Sequence, residues 1–84
     1  MSTKDALIAR YLEANPNRPG PADWRLKDYG VPVWALVGYW LTVGQDTERV
    51  AQAYAVPQEA VAAGLAYYGR NREIIDARLA ANAA

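Results

Sequence analysis

The sequence predicts a mostly α-helical domain built around a helix-turn-helix, and three observations support this class. Small and apolar residues between Thr47 and Leu65 fall at the spacings of two short helices that cross around a three-residue connection. Helical patterns of apolar residues lie on both sides of this pair. The 84 residues are enough for one small core, although folding at this size buries only about 60% of the unfolded chain's surface. We therefore expect a single domain over residues 1–84.

The segment from Ser2 to Ala14 predicts an amphipathic N-terminal helix, which Ser2 or Thr3 can cap. The residues of its apolar stripe are Leu7, Ile8, Tyr11 and Leu12. Three prolines and a glycine in NPNRPGPAD then favour an irregular connection. Residues 1–23 are thus predicted to form a helix followed by a proline-rich arm.

Residues 24–33 alternate apolar side chains with charged residues and glycine, which predicts a short extended or β segment. A strand of this length needs a partner strand. In a dimer, the same segment of a second chain is one candidate for that partner.

The next helix, VPVWALVGYWLTVG, is apolar on two sides, and Gly44 is expected to end it. We interpret one side as core and the other as an interface with a second subunit or a partner protein. The alternative is that the N-terminal arm folds back over the second side. The interface candidates on this helix are Trp34, Tyr39 and Trp40.

The helix-turn-helix core is predicted within residues 32–69. Asp46 or Thr47 caps its first helix, and Pro57 opens its second helix. A C-terminal helix over 71–82 can begin at Asn71. A continuous helix from 57 to 82 is the alternative, because a heptad-like apolar seam runs along it, but Gly69 and Asn71 favour a break.

The composition argues against catalysis and against a metal or cofactor site. The chain has no histidine and no cysteine, so the usual general base and the commonest metal ligands are missing. We expect no enzyme activity and no cofactor. No run of about 20 apolar residues is present to span a membrane, and a soluble cytoplasmic protein is the expectation.

The helix-turn-helix also predicts residues that face DNA. Gln58 and Glu59 at the start of the second helix can contact bases, while Arg49, Arg70 and Arg72 are available for phosphates. The second helix itself has no cation before Arg70, and the net charge is zero. The alternative interpretation is that the motif serves only as a packing unit.

A second candidate surface lies at the boundary of the last two helices. Two adjacent tyrosines followed by arginines are typical of a protein-binding hot spot. The residues that we assign to a partner or dimer interface in this region are Tyr67, Tyr68, Asn71, Ile75, Asp76 and Leu79.

The order of VPVWAL, the capped helix TERVAQAY, a Val-Pro turn and LAYYGRNREIIDARL resembles the bacterial family known as domain of unknown function 433, over about residues 25–82. The resemblance implies a homeodomain-like three-helix core and an antitoxin of the VapB kind in a type II toxin–antitoxin module. Such a protein is expected to act as a homodimer that binds promoter DNA and a PIN-like nuclease toxin.

The chain departs from the family pattern before the first core helix. The family usually has a lead-in of the kind GKPRIAGTRIPV, whereas this chain has GPADWRLKDYGVPV, with Gly30 in place of the second arginine. A candidate phosphate contact is therefore missing. Toxin binding and dimerisation are the stronger expectations, and a protein-interaction domain that keeps the helix-turn-helix shape without binding DNA is the alternative.

Overall fold

The computed structural model describes residues 2–83, and over this range the predicted mostly α class is confirmed. The elements in chain order are α1 (Thr3–Tyr11), β1 (Leu12–Glu13), a 3₁₀ turn (Pro21–Asp23), β2 (Arg25–Leu26), α2 (Val33–Thr42), α3 (Thr47–Tyr54), α4 (Gln58–Arg70) and α5 (Arg72–Ala83).

α1 begins as predicted but ends at Tyr11, three residues before the predicted end at Ala14. Ser2 caps it reciprocally: the Asp5 N–H donates to Ser2 Oγ over 3.1 Å, and the Ser2 N–H donates to the Asp5 carboxylate. The predicted continuation to Ala14 is wrong, because the chain becomes extended at Leu12.

The short sheet is formed within one chain. β1 and β2 are antiparallel, with Leu12 opposite Leu26 and Glu13 opposite Arg25. The strand partner of the 24–33 segment is therefore the residue pair after α1, and not the same segment of a second chain. Leu12 and Leu26 are both buried, so burial of the two leucines stabilises this pairing.

α4 is the central helix, and α1, α2 and α3 pack against it. α4 packs closely against α2 at Gly64, where an added Cβ would lie 3.3 Å from Leu36 Cδ2. The largest fully buried side chains form one core around α4; they are Leu26, Leu36, Ile75, Val33, Val37, Val50 and Val61.

The second side of α2 is covered only in part. The arm does fold back, but α1 lies on α4, and the 3₁₀ turn is the part of the arm that reaches α2. α5 also packs against α2, where Leu79 lies so close to Gly38 that an added Cβ would be 3.1 Å from Leu79 Cδ2. The three predicted interface residues of α2, which are Trp34, Tyr39 and Trp40, are each partly buried, and Leu41 is exposed.

α3 and α4 have the predicted order and the predicted three-residue connection, residues 55–57. The Asp46 carboxylate caps α3 by accepting the Arg49 N–H over 3.1 Å. Ala55 ends α3 in the left-handed region at φ 55°, and Pro57 is the N-cap of α4.

The predicted break near Asn71 is confirmed, and the continuous helix from 57 to 82 is wrong. The Asn71 side chain donates to the Tyr67 carbonyl over 3.1 Å and so completes the end of α4. The apolar seam is therefore divided between two helices and is not presented lengthwise to a partner.

The proline-rich arm is fixed to the body over residues 21–24. Asp23 is buried and binds both guanidinium nitrogens of Arg78 on α5, with 3.0 Å between Asp23 Oδ2 and Arg78 Nη2. The Trp24 ring stacks on the Tyr67 ring at 5.1 Å, and the Tyr67 hydroxyl donates to the Pro21 carbonyl over 2.6 Å. The arm thus has a defined path, as its prolines predict.

Candidate interaction surfaces

Two of the five predicted DNA contacts, Glu59 and Arg70, bind side chains of α1. The Tyr11 hydroxyl donates to Glu59 Oε2 over 2.8 Å, at the first turn of α4. At the last turn, Arg70 forms an ion pair with Asp5 and a longer contact of 3.4 Å with Ser2 Oγ. α1 therefore lies across the outer side of α4 and is held near both ends of that helix.

The electrostatics of these contacts agree with the geometry. The Arg70 hydrogen bond, followed by the contacts with Ser2, holds the pKa of Asp5 below its usual value. The hydrogen bond to Glu59 raises the pKa of the Tyr11 phenol, because the protonated hydroxyl is the donor. Both groups are exposed to solvent, so these contacts orient α1 more than they stabilise it.

The other three predicted DNA contacts lie in two kinds of environment. The Arg72 guanidinium lies over the Tyr68 ring, 4.9 Å from its centroid. The side chains of Arg49 and Gln58 are exposed, and neither makes a side-chain hydrogen bond or ion pair with residues 2–83. Within residues 2–83, one arginine on α3 and one glutamine at the start of α4 thus keep their side chains free of such contacts.

Three predicted partner contacts belong to the core of the chain and not to its surface. Tyr67, Tyr68 and Ile75 are 6%, 7% and 0% exposed. Burial raises the pKa of Tyr67 to about 12. The Tyr68 hydroxyl donates to Asp76 Oδ1 over 2.6 Å, and this bond is the main cause that raises the Tyr68 pKa. The adjacent tyrosines followed by arginines predict an interface, but Tyr67 packs against Trp24 and the 3₁₀ turn, and Tyr68 binds Asp76 on α5.

Sequence reasoning missed the contacts that close the fold. Tyr11 and Glu59 are 48 positions apart, and Asp23 and Arg78 are 55 positions apart. Periodicity reports only neighbours within one element, so it carries no signal for such pairs. The one available hint is Asp23 itself, which is the only acidic residue between Glu13 and Asp28.

The strongest remaining surface is on α2. We use the term α2 surface for the partly exposed side chains of Trp34, Trp40 and Leu41. Trp34 and Leu41 are seven residues apart and share one side of α2, and Trp40 lies about 100° around the helix from Leu41. No charged residue occurs from Val31 to Gln45, yet Leu41 is 47% exposed and both tryptophans keep part of their surface in solvent. Depletion of charge together with tryptophan is the composition of the central part of a protein interface.

A cleft of about 310 Å³ lies between α1 and α4. Its lining residues are Lys4, Leu7, Ala62, Leu65 and Ala66. The cleft shows that α1 covers α4 without filling the space between the two helices. No group of acidic residues within 2–83 is arranged to hold a metal ion. Among those residues, no helix has the length and apolar character needed to cross a bilayer.

The described residues form a small, mostly α domain in which α1 covers the outer side of α4. Comparison of the chain with protein-family models, curated proteins and solved structures finds no match. The resemblance to the domain of unknown function 433 family therefore stays a prediction from its motifs.

Proposed function

We propose that this chain is an antitoxin-like protein-binding domain that recognises its partner through the α2 surface and does not bind DNA through α4. The partner class that the family resemblance implies is a PIN-like nuclease. In this proposal α2, α3 and α4 are the homeodomain-like helices, and they serve as a packing unit. This corresponds to the interaction-domain alternative, with the toxin kept as the partner.

The position of α1 is the observation that carries the proposal. A recognition helix places its outer side in the major groove, and in this chain α1 occupies that side of α4. Glu59 and Arg70, which would contact a base and a phosphate, are engaged by Tyr11 and Asp5. With zero net charge, few cations are left for the phosphate contacts on which DNA affinity depends.

The α2 surface supports the protein-binding half of the proposal. Leu41 is exposed on a charge-free helix whose Leu36 and Val37 are fully buried, so Leu41 is not part of the core. Partly exposed tryptophans supply large apolar area at low cost in side-chain entropy, which is why they dominate interface energetics.

Co-purification tests the proposal. The tagged chain is coexpressed with the product of the adjacent gene, and Leu41→Glu is compared with Ala53→Glu, a control at an exposed position on α3. We expect the wild type and the control to retain a nuclease, and Leu41→Glu to weaken retention at least about tenfold, equivalent to about 1.4 kcal/mol. Equal melting temperatures of both variants exclude a folding effect.

Two results of the co-purification would contradict the proposal. If the wild type retains no nuclease, the antitoxin-like assignment is wrong. If Leu41→Glu binds as well as the wild type, the partner uses another surface.

A DNA titration tests the other half. Promoter DNA is titrated with the chain at about 50 and 200 mM salt, where each phosphate contact steepens the loss of affinity. We expect no salt-sensitive complex. A complex that weakens steeply with salt, and that Arg49→Ala weakens further, would contradict the proposal and restore the DNA-binding interpretation.

A further inference from the structure

We infer that the N-terminal arm, defined here as residues 2–13, exchanges between two copies of this chain. In the exchanged dimer, α1 of one copy packs on α4 of the other copy, and β1 pairs with β2 across the two chains. The surface is the outer side of α4, and its occupant is the arm of a second copy. This inference is independent of the proposed function, because the α2 surface is not involved.

The contacts that hold the arm in place join residues 2–13 to β2 and α4, or to the residue after β2. The strand pairing joins Leu12 to Leu26, and the Lys27 N–H donates to the Tyr11 carbonyl over 2.7 Å. The side-chain contacts are Tyr11 with Glu59, Asp5 and Ser2 with Arg70, Glu13 with Arg25 at 2.8 Å, and Lys27 Nζ with the Ala9 carbonyl at 2.7 Å. An arm from a second copy can make all of them unchanged, as domain swapping requires.

The arm is held at its surface more than in the core. α1 contains no buried residue, and Leu7 and Ile8 are only partly buried. Leu12 is the one fully buried anchor of the arm among the described residues. Release of the arm therefore exposes one buried leucine and several partly buried side chains, and an arm from a second copy restores the same packing on α4.

Residues 14–20 form the hinge. The hinge ends at the 3₁₀ turn, because Asp23 fixes that turn to Arg78. Its turn is held by two hydrogen bonds to Asn15, from the Asn17 N–H to Oδ1 over 2.9 Å and from the Arg18 N–H to the carbonyl over 3.3 Å. Opening the arm thus breaks little within the hinge.

The hinge sequence favours extension. Asn15 precedes Pro16 and Arg18 precedes Pro19, and a residue before proline prefers extended backbone. When extended, these residues span up to about 25 Å, which compares with dimensions of 34 × 28 × 22 Å for the folded chain. An extended hinge therefore reaches the body of an adjacent copy.

Cross-linking tests the exchange, and the absence of cysteine from the chain makes the test clean. Leu7 and Ala62 line the same cleft from α1 and from α4. A Leu7→Cys chain and an Ala62→Cys chain are unfolded, mixed at high concentration, refolded together and treated with a short bifunctional thiol reagent. We expect a covalent dimer that contains one of each chain.

Two controls complete the experiment. Leu7→Cys mixed with Ala53→Cys, whose thiol lies on α3, is expected to give at least tenfold less covalent dimer. A single chain with both Leu7→Cys and Ala62→Cys shows that the thiols meet in the folded protein. If that chain cross-links within itself while the mixed chains give no more dimer than the control, the exchange is wrong.

The mass in solution provides a second test. Deletion of residues 17–18 removes the turn and is expected to raise the mass measured by light scattering to that of a dimer, at concentrations where the wild type is partly dimeric. Replacement of Pro16 and Pro19 by alanine is expected to lower the dimer fraction. A deletion variant that stays monomeric contradicts the inference.

Discussion

Replacement of Ile75 by alanine is expected to destabilise the domain strongly, whereas the same replacement at Ile74 is not. The two isoleucines are neighbours in α5, yet Ile75 is 0% exposed and Ile74 is 39% exposed. Alanine at 75 leaves a cavity in the core, and alanine at 74 removes atoms that are already largely hydrated. The pair therefore separates burial from every other effect of the substitution.

The magnitude follows from burial. Truncation of a buried isoleucine to alanine costs about 2–5 kcal/mol, and a surface substitution stays within about 0.5 kcal/mol. The higher helix propensity of alanine contributes about 0.4 kcal/mol at both positions and cancels in the comparison. We expect a difference of about 3 kcal/mol, which for a domain of this size corresponds to a melting temperature about 12–24 °C lower.

Urea unfolding followed by tryptophan fluorescence measures the difference, since the chain has three tryptophans. Ile75→Val removes a single methylene group and is expected to lie between the wild type and Ile75→Ala, at a cost of about 1 kcal/mol. Equal unfolding free energies for Ile74→Ala and Ile75→Ala would refute the reasoning, because Ile75 would then not be a core residue.

Three further predictions concern charge, backbone and ionisation. Asp23→Asn is expected to lower the unfolding free energy by about 2 kcal/mol. Arg78 also holds the pKa of Asp23 below its usual value, so the wild type loses this contribution as the pH falls from about 4 through the pKa of the folded state. Unfolding at pH 7 and at pH 3 measures the loss. Gly44→Ala is expected to lower the unfolding free energy by about 1–2 kcal/mol, because Gly44 has φ 68°. Ala55→Gly, at φ 55°, is expected to change it by less than about 1 kcal/mol, because relief of strain and the greater entropy of the unfolded chain oppose each other. Thermal unfolding compares the two variants. Burial raises the pKa of Tyr67 to about 12, so stability is expected to fall as the pH rises from about 10 to 12, with tyrosinate absorbance as the measurement.

Each of these three has its own contrary result. An Asp23→Asn variant with the acid sensitivity of the wild type would show that the ion pair does not govern it. A Gly44→Ala variant of unchanged stability would show that the backbone at 44 relaxes freely. A tyrosine set that titrates entirely near pH 10 would contradict the burial of Tyr67.

Local signals predicted the middle of the fold well. Asp46, Pro57 and Asn71 mark helix ends in the sequence, and helix ends lie near all three in the structure. Capping and proline act on neighbouring backbone groups only, so their effects are readable without tertiary information. The break at Asn71 was predicted for the same reason.

Long-range contacts explain the errors. Leu12 continues the apolar stripe of α1, but its pairing with Leu26 makes the chain extended there. Tyr67 and Tyr68 have the composition of a binding site, but the 3₁₀ turn and Asp76 satisfy their hydroxyls within the chain. A sequence pattern shows that a residue is apolar or aromatic and does not show which element covers it.

The candidate site was predictable only in part. Charge depletion along α2 is visible in the sequence and correctly marked a helix with partly exposed apolar residues. The covering of α4 by α1 depends on Tyr11 and Asp5 reaching residues far along the chain. In our proposal those contacts distinguish a protein-binding domain from a DNA-binding domain. No local sequence pattern predicts them.

The ion pair between Asp23 and Arg78 has a consequence for local opening of the folded chain. It ties the 3₁₀ turn to α5, which is otherwise held to the domain by its buried Ile75 and by packing against α2. The turn and the last helix should therefore open as one cooperative unit, with shared hydrogen-exchange protection below that of α4. The Asp23 carboxylate in the proline-rich arm and the buried Ile75 then act together on how often the C-terminal helix leaves the domain.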